Sequence, residues 1–229
     1  MKVPTLAATA LLALAAGCTR MPGSARIETV ERPDQVTDFK TLYSQNCTGC
    51  HGANGQNGAA LDLSNPVYQA WVDDATLQRI ISMGEPPTQM AAFAQSSGGM
   101  LTEAQVDALV KGMRAAWPAN GVLAGQTPPP GEPSGPSDPE QGQKTYQIAC
   151  ARCHSQPGQK VTDPTYLALI NNRTLRTIII TGRPDLGHPD WRGDIPGKPL
   201  TGQEVNDIVA YLNSLRTETP GQPYSHPQQ

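Results

Sequence analysis

The chain is poor in what usually fills a protein interior. Of 229 residues, 38% are apolar and only 5% aromatic, with two Phe and three Trp. That is too little large apolar surface for a generous core made of side chains alone. Charge is sparse as well, at 16% of residues and a formal net of −3. The strong basic field of a nucleic-acid binder is therefore excluded. No run of 18 or more apolar residues occurs, which excludes a conventional membrane-spanning helix. Gly and Pro number 22 each, about a fifth of the chain, below the range of a fully disordered polymer. Such a chain folds, yet leaves space in its interior for something other than side chains.

Five cysteines are present, at Cys18, Cys47, Cys50, Cys150 and Cys153. An odd number cannot all pair with one another. Lys2 and the apolar stretch Leu6 to Ala16 read as a secretory leader, too short to span a bilayer. The leader ends in Leu14-Ala15-Ala16-Gly17-Cys18. Small residues before a lone Cys resemble the bacterial lipoprotein signal, with Leu14 one step further from the Cys than the family form prefers. That resemblance implies cleavage after residue 17, lipidation of Cys18, and a tether over 18–35. It also implies an exported chain on the periplasmic side of a bacterial membrane. The alternative is an ordinary cleaved leader with Cys18 as an idle thiol.

The remainder is a tandem repeat. Residues 119–139 hold six Pro and four Gly, which cannot sustain a helix or a central strand. They read as a semi-extended spacer, suited to a domain that swings between partners. On either side, Tyr43 and Tyr146 each stand four residues before a cysteine, and Thr76–Gly84 parallels Thr174–Gly182. Leu101-Thr102 and Leu200-Thr201 each open a helical pattern. Its apolar residues are Val106, Leu109, Val110 and Met113 in the first repeat and Val205, Ile208, Val209 and Leu212 in the second, at half-buried helix spacing. Thr102 and Thr201 are the expected N-caps. Each unit reads as a helix ending in the cysteine motif, a loop, a middle helix and a last helix. The result is an all-α chain with units at 36–118 and 140–217 and a polar tail at 218–229. At about 80 residues each, a core of protein alone is marginal.

The four paired cysteines lie in Cys47-Thr48-Gly49-Cys50-His51 and Cys150-Ala151-Arg152-Cys153-His154. Thiols three apart share one face of a helical turn, so both can reach the edge of one planar ring while the adjacent imidazole points at its centre. This is the c-type haem attachment signature. A redox dithiol needs no following His and sits in a β-α-β setting that this helical pattern lacks. Zinc would take each Cys-Cys-His trio with one further ligand, and residue count leaves that open.

Both halves resemble class I cytochrome c domains, from about Val36 to Trp117 and from about Pro139 to Arg216. The resemblance implies two covalently bound haem c groups, on Cys47 and Cys50 and on Cys150 and Cys153, with His51 and His154 as proximal iron ligands. In that family the sixth ligand is a Met in the loop between a glycine and the last helix. Met90, six residues past Gly84, fills that place. Met83 reads as a core side chain of the middle helix, and Met100 has no slack to turn back to the iron. The second half departs from the pattern, because His188 stands six residues past Gly182 and no Met follows Met113. His188 then reads as the second haem's ligand; its bland alternative is a surface histidine beside a five-coordinate iron. His226 reads as exposed tail.

Met/His ligation raises haem potential, so the second haem is expected to lie lower and to pass electrons to the first. Residues 36–118 carry 4 basic and 7 acidic groups, and residues 140–217 carry 9 and 7. This imbalance reads as surface solvation or as two faces for different partners; Arg173, Arg176, Arg183 and Arg192 are alternatively partners for haem propionates. The function expected is a membrane-tethered dihaem carrier. Its partners are redox proteins as electron donor and acceptor, or a respiratory or photosynthetic complex of which it is the cytochrome subunit. It is not itself an enzyme. The rival is a peroxidase-like dihaem enzyme in which His188 is absent from the iron or displaceable.

Overall fold

The repeat visible in the sequence is repeated in backbone hydrogen bonding. The computed structural model describes residues 31–86, 88–156 and 160–216. The expected leader, Cys18, most of the tether, and the tail with His226 lie outside these residues. Asp38 opens α1 (Phe39–Asn46) by accepting from the Thr41 amide, and Asp138 with Pro139 at the first turn opens α6 (Pro139–Ala149). Each first helix breaks at the first motif cysteine. Cys47 and Cys150 donate back to Tyr43 and Tyr146 and lead into the single turns α2 (Thr48–His51) and α7 (Ala151–His154).

Between motif and middle helix the expected loops each contain a short helix. These are α3 (Pro66–Trp71), capped by Asn65, and α8 (Pro164–Ala168), capped by Asp163. Both have Pro in the first turn, where its missing N–H costs nothing. The middle helices α4 (Asp74–Met83) and α9 (Asn172–Thr181) end on Gly84 and Gly182, both at φ 72°. A Cβ at either position would lie 2.5 Å from a carbonyl oxygen of the following loop, that of Met90 or Pro189, so only glycine fits. The last helices α5 (Glu103–Ala116) and α10 (Gly202–Ser214) start with capping boxes, Thr102 with Gln105 and Thr201 with Glu204. The described residues contain no strand, only two isolated bridges, Ala94 with Leu101 and Arg183 with His188.

The described residues from Asp34 to Arg216 belong to one compact unit. In the first repeat α1 packs on α5, and in the second α6 packs on α10. Leu42, Tyr43, Val106 and Leu109 fill one seam, while Tyr146, Val205, Ile208 and Leu212 fill the other. Gly142 lets α6 approach the backbone of α10 directly, at the Asp207 carbonyl.

The Pro/Gly segment does not hang free. Val122 and Leu123 are half-buried against the second repeat's core, which also takes in Val67 and Trp71 of α3. Trp71 Nε1 donates to the Pro129 carbonyl (2.9 Å), Arg176 Nε to that of Pro130 (2.8 Å), and Arg192 Nη1 to that of Val122 (2.9 Å). Proline offers carbonyls but no N–H, so donors from both repeats clamp the segment down. It is a strap across the two repeats, which corrects the expectation of a swinging spacer.

Candidate haem sites

In both repeats the amides of Cys50 and Cys153 donate to the carbonyls of Cys47 and Cys150 (3.2 Å), and those of His51 and His154 do the same (3.0 Å). Cys47 and Cys150 are half-buried, Cys50 and Cys153 are exposed, and none forms a disulfide. Burial pushes the Cys47 thiol up to about 11 and the Cys150 thiol to about 12. They therefore rest as neutral thiols rather than thiolates, unlike a reactive redox dithiol.

His51 is buried, and its Nδ1 lies 2.8 Å from the Leu61 carbonyl. A carbonyl only accepts, so Nδ1 carries the proton and Nε2 keeps its lone pair. Burial holds the ring below its ordinary pKa, so the imidazole is neutral, the form that binds a metal.

The two sixth-position loops are hung in matching ways. The amide of Glu85 donates to the Met90 carbonyl (3.0 Å), and that of Arg183 to the His188 carbonyl (3.0 Å). Further on, Leu101 N–H bonds Phe93 O (2.7 Å) and Leu200 N–H bonds Trp191 O (2.8 Å). Met90 and His188 thus stand at equivalent positions. Met90 is half-buried, with its amide donating to Thr88 Oγ1 (3.2 Å). Met100 is 80% exposed. Met83 is 59% exposed, not the core side chain its apolar run suggests, because it sits on the outer side of the last turn of α4.

In the second repeat the His154 and His188 rings face each other with centroids 5.8 Å apart. With metal–imidazole bonds of about 2.0 Å on each side and the ring radius added, two rings sharing one metal have centroids about 6 Å apart, close to this spacing. Burial, with His154 and Arg183 nearby, pushes His188 down to about 4, and its Nδ1 is buried without a hydrogen-bond partner. A neutral imidazole with an unmatched polar atom, facing a second imidazole, fits a group that the polypeptide does not supply. Among the described residues no three His, Cys, Asp or Glu side chains gather as a metal site, which removes the geometry that a zinc trio with a fourth protein ligand requires.

The four arginines singled out as propionate partners all have protein partners. Arg173 pairs with Glu85 (3.1 Å) and Glu132 (2.5 Å), and Arg192 with Asp190 (2.6 Å). Arg176 Nη1 donates to Asn206 Oδ1 (2.5 Å). Arg183 grips Asp185 through two bonds of 2.9 and 2.8 Å and reaches the Gly58 carbonyl of the first repeat (3.0 Å). Sequence reasoning also passed over Asn65, whose side chain donates to the Thr181 and Gly182 carbonyls (2.7 and 3.3 Å). Aligning the two repeats would have flagged Glu85 and Arg183, each the first residue after its loop glycine.

The family model described as Cytochrome C oxidase, cbb3-type, subunit III matches residues 34–111 and 137–212. The cytochrome bc1 complex cytochrome c subunit of Corynebacterium diphtheriae is 23% identical over 215 residues, covering 86% of this chain and 73% of that protein. Among solved structures, the KustC0563 c-type cytochrome is 30% identical, over 34% of this chain and 96% of its own, with a TM-score of 0.30. The Kuenenia stuttgartiensis reducing HAO-like protein complex Kustc0457/Kustc0458 is 20% identical, over 82% of this chain and 100% of that one, with a TM-score of 0.45. The two stretches matched by the family model coincide with the two C-x-x-C-H repeats and take in most of the residues. The chain therefore belongs to the cytochrome c family described as cbb3-type cytochrome c oxidase subunit III, an all-α electron-transfer cytochrome of the kind that holds covalent haem c.

Proposed function

We propose that this chain is a membrane-tethered dihaem cytochrome that passes single electrons between redox partners, as a carrier or as the cytochrome subunit of a respiratory complex. The observation that carries the reading is the doubled site. A C-x-x-C-H turn and a sixth-position loop closed by an equivalent backbone bond, Glu85 N–H to Met90 O and Arg183 N–H to His188 O, occur in each repeat, and two imidazole rings lie 5.8 Å apart in the second. When bound, each haem c supplies one-electron exchange between ferric and ferrous iron.

The residues then have distinct tasks. Cys47 and Cys50, and Cys150 and Cys153, hold the two groups covalently. His51, with its tautomer set by Leu61, and His154 are the proximal ligands. Met90 offers a thioether and His188 a second imidazole. A thioether favours ferrous iron more than imidazole does, so Met90 would set the first haem at the higher potential and His188 the second at the lower. With Met90 and His188 as ligands beside His51 and His154, neither haem would keep a coordination position for substrate. The Corynebacterium relative is named as a subunit of the cytochrome bc1 complex, which supports a place beside a membrane complex. Cys18, lipidated on the periplasmic side of a bacterial membrane, would hold the chain there; several acyl chains make such an anchor stable.

Haem quantitation and a potentiometric titration test the reading. Two haems per chain and two one-electron waves are expected, the upper lost or lowered in Met90→Ala. His188→Ala is expected to turn half of the ferric haem high-spin and cyanide-reactive. One haem per chain would end the dihaem reading, and a single midpoint for both haems would end the potential ordering. Rapid cyanide binding by the unaltered ferric protein would favour the peroxidase-like enzyme instead.

A further inference from the structure

Glu85 and Arg183 occupy the same place in the two repeats. Each follows the glycine that ends a middle helix, and each uses its backbone N–H to hold the carbonyl of the sixth-position residue, Met90 or His188. Their side chains point to the opposite repeat. Glu85 Oε1 accepts from Arg173 Nε (3.1 Å) and from Asn171 Nδ2 (3.5 Å), both at the start of α9. Arg183 Nη2 donates to the Gly58 carbonyl (3.0 Å), and its partner Asp185 accepts the Asn57 amide (2.9 Å). Gly58 in turn lies directly against the backbone of Cys50 and His51, with no room for a side chain. The side chains of the Arg183–Asp185 pair are 9% and 0% exposed, so water does not compete for these bonds.

The consequence is a reciprocal arrangement. The loop carrying Met90 is anchored on the second repeat, and the loop carrying His188 is anchored on Asn57 and Gly58, which pack against the first repeat's motif turn. We propose that Glu85 and Arg183 are positioning residues that make axial ligation at each haem depend on the docking of the other repeat. Coupling between the sites then has a contiguous route, from His188 through Arg183 and Gly58 to His51, and from Met90 through Glu85 to α9. This inference rests on the ligand assignments under Proposed function.

The test reads each haem after a change in the other repeat. In full-length ferric holoprotein, Arg173→Gln removes Glu85's charged partner without touching the first repeat. The near-infrared band of Met-ligated ferric haem should weaken, and cyanide affinity at the first haem should rise about 2- to 30-fold, the span of such couplings. The second haem should keep its low-spin spectrum. Arg183→Gln should raise cyanide affinity at the second haem by a similar factor, and Arg183→Lys, which lacks the fork, should restore only part of it. Glu85→Gln reads the first contact from its other side and should match Arg173→Gln. If Arg173→Gln and Glu85→Gln leave the first haem as it was, while Met90→Ala abolishes the band, the coupling is overturned and the ligands stand. If Met90→Ala and His188→Ala themselves leave both spectra unchanged, the ligand assignments fail and the coupling falls with them.

Discussion

Asp194 shows how a single side chain sets the molecule's response to pH. It is 4% exposed and close enough to Cys150 to affect that thiol. Burial pushes its carboxyl up to about 7, with Arg152 pulling it back and Asp190 pushing it further. The folded protein thus holds this proton over a range where the unfolded chain has lost it. The stabilisation is fully present below about pH 4 and is lost as pH rises through about 7. Asp194→Asn keeps the shape and removes the charge. Its melting temperature should exceed that of the unaltered holoprotein by more at about pH 8 than at about pH 5; haem propionates titrate in both proteins and drop out of the difference. An equal difference at both pH values would show that Asp194 does not titrate in this window. At this scale the cysteines, the adjacent histidines, Met90 and His188, which the proposal assigns to attachment and ligation, are legible in sequence because they recur at the same short spacings in both repeats. The roles of Arg173, Arg176, Arg183 and Arg192 are not. Their partners include backbone carbonyls and carboxylates up to 125 residues away, and a carbonyl has no residue type to recognise.

At the scale of elements, the long helices announce themselves and the short ones do not. The capping boxes at Thr102 and Thr201 precede clear apolar periods, whereas α3 and α8, of six and five residues, are too short to show a period and are marked only by Asn65-Pro66 and Asp163-Pro164. These equivalent caps carry different weight. Asp163 is exposed and caps α8 alone. Asn65 is 2% exposed, caps α3 through its Oδ1, and uses its Nδ2 to close two carbonyls at the end of α9. Asp163→Ala should cost only an ordinary, exposed cap loss, the smaller of the two. Asn65→Ala should cost roughly 2–4 kcal/mol, since a cap is lost, the buried Thr181 carbonyl loses its side-chain donor and that of Gly182 keeps only Thr181 Oγ1. Denaturant unfolding of the two holoprotein variants measures the difference; equal losses would mean that the contact between repeats contributes nothing to stability.

For the whole molecule, the thin aromatic content and the Pro/Gly excess have separate explanations. On the proposed reading, each repeat wraps a cysteine-held haem that takes the place of part of a side-chain core. The strap is shaped by proline carbonyls that accept donors from both repeats. It also alters what it covers. The exposed pair of Gln78 with Asp107 in the first repeat corresponds to Arg176 with Asn206 in the second, where both residues are 3% exposed and Arg176 meets the Pro130 carbonyl. Burial without a bridging carboxylate lowers that guanidinium's pKa, a cost borne only where the covering segment stays in place. Part of the charge imbalance between the repeats goes into their packing, because arginines of the second meet Glu85, Glu132 and the Gly58 carbonyl. A loose tether and a packed strap differ in what a cut does. Ser134 and Gly135 are exposed, and a protease site placed between them should be cleaved readily. After cleavage in native buffer, the halves should co-elute in gel filtration. Val67, Trp71, Asn65 and the segment from Val122 to Glu132 would still join the first half to the second. Trp71→Phe leaves the buried Pro129 carbonyl without its donor, a loss of about 1–3 kcal/mol, and should shift the cleaved protein towards separate halves while leaving the uncut chain intact. Separation of the unsubstituted halves upon cutting would show that covalent continuity alone keeps the repeats together.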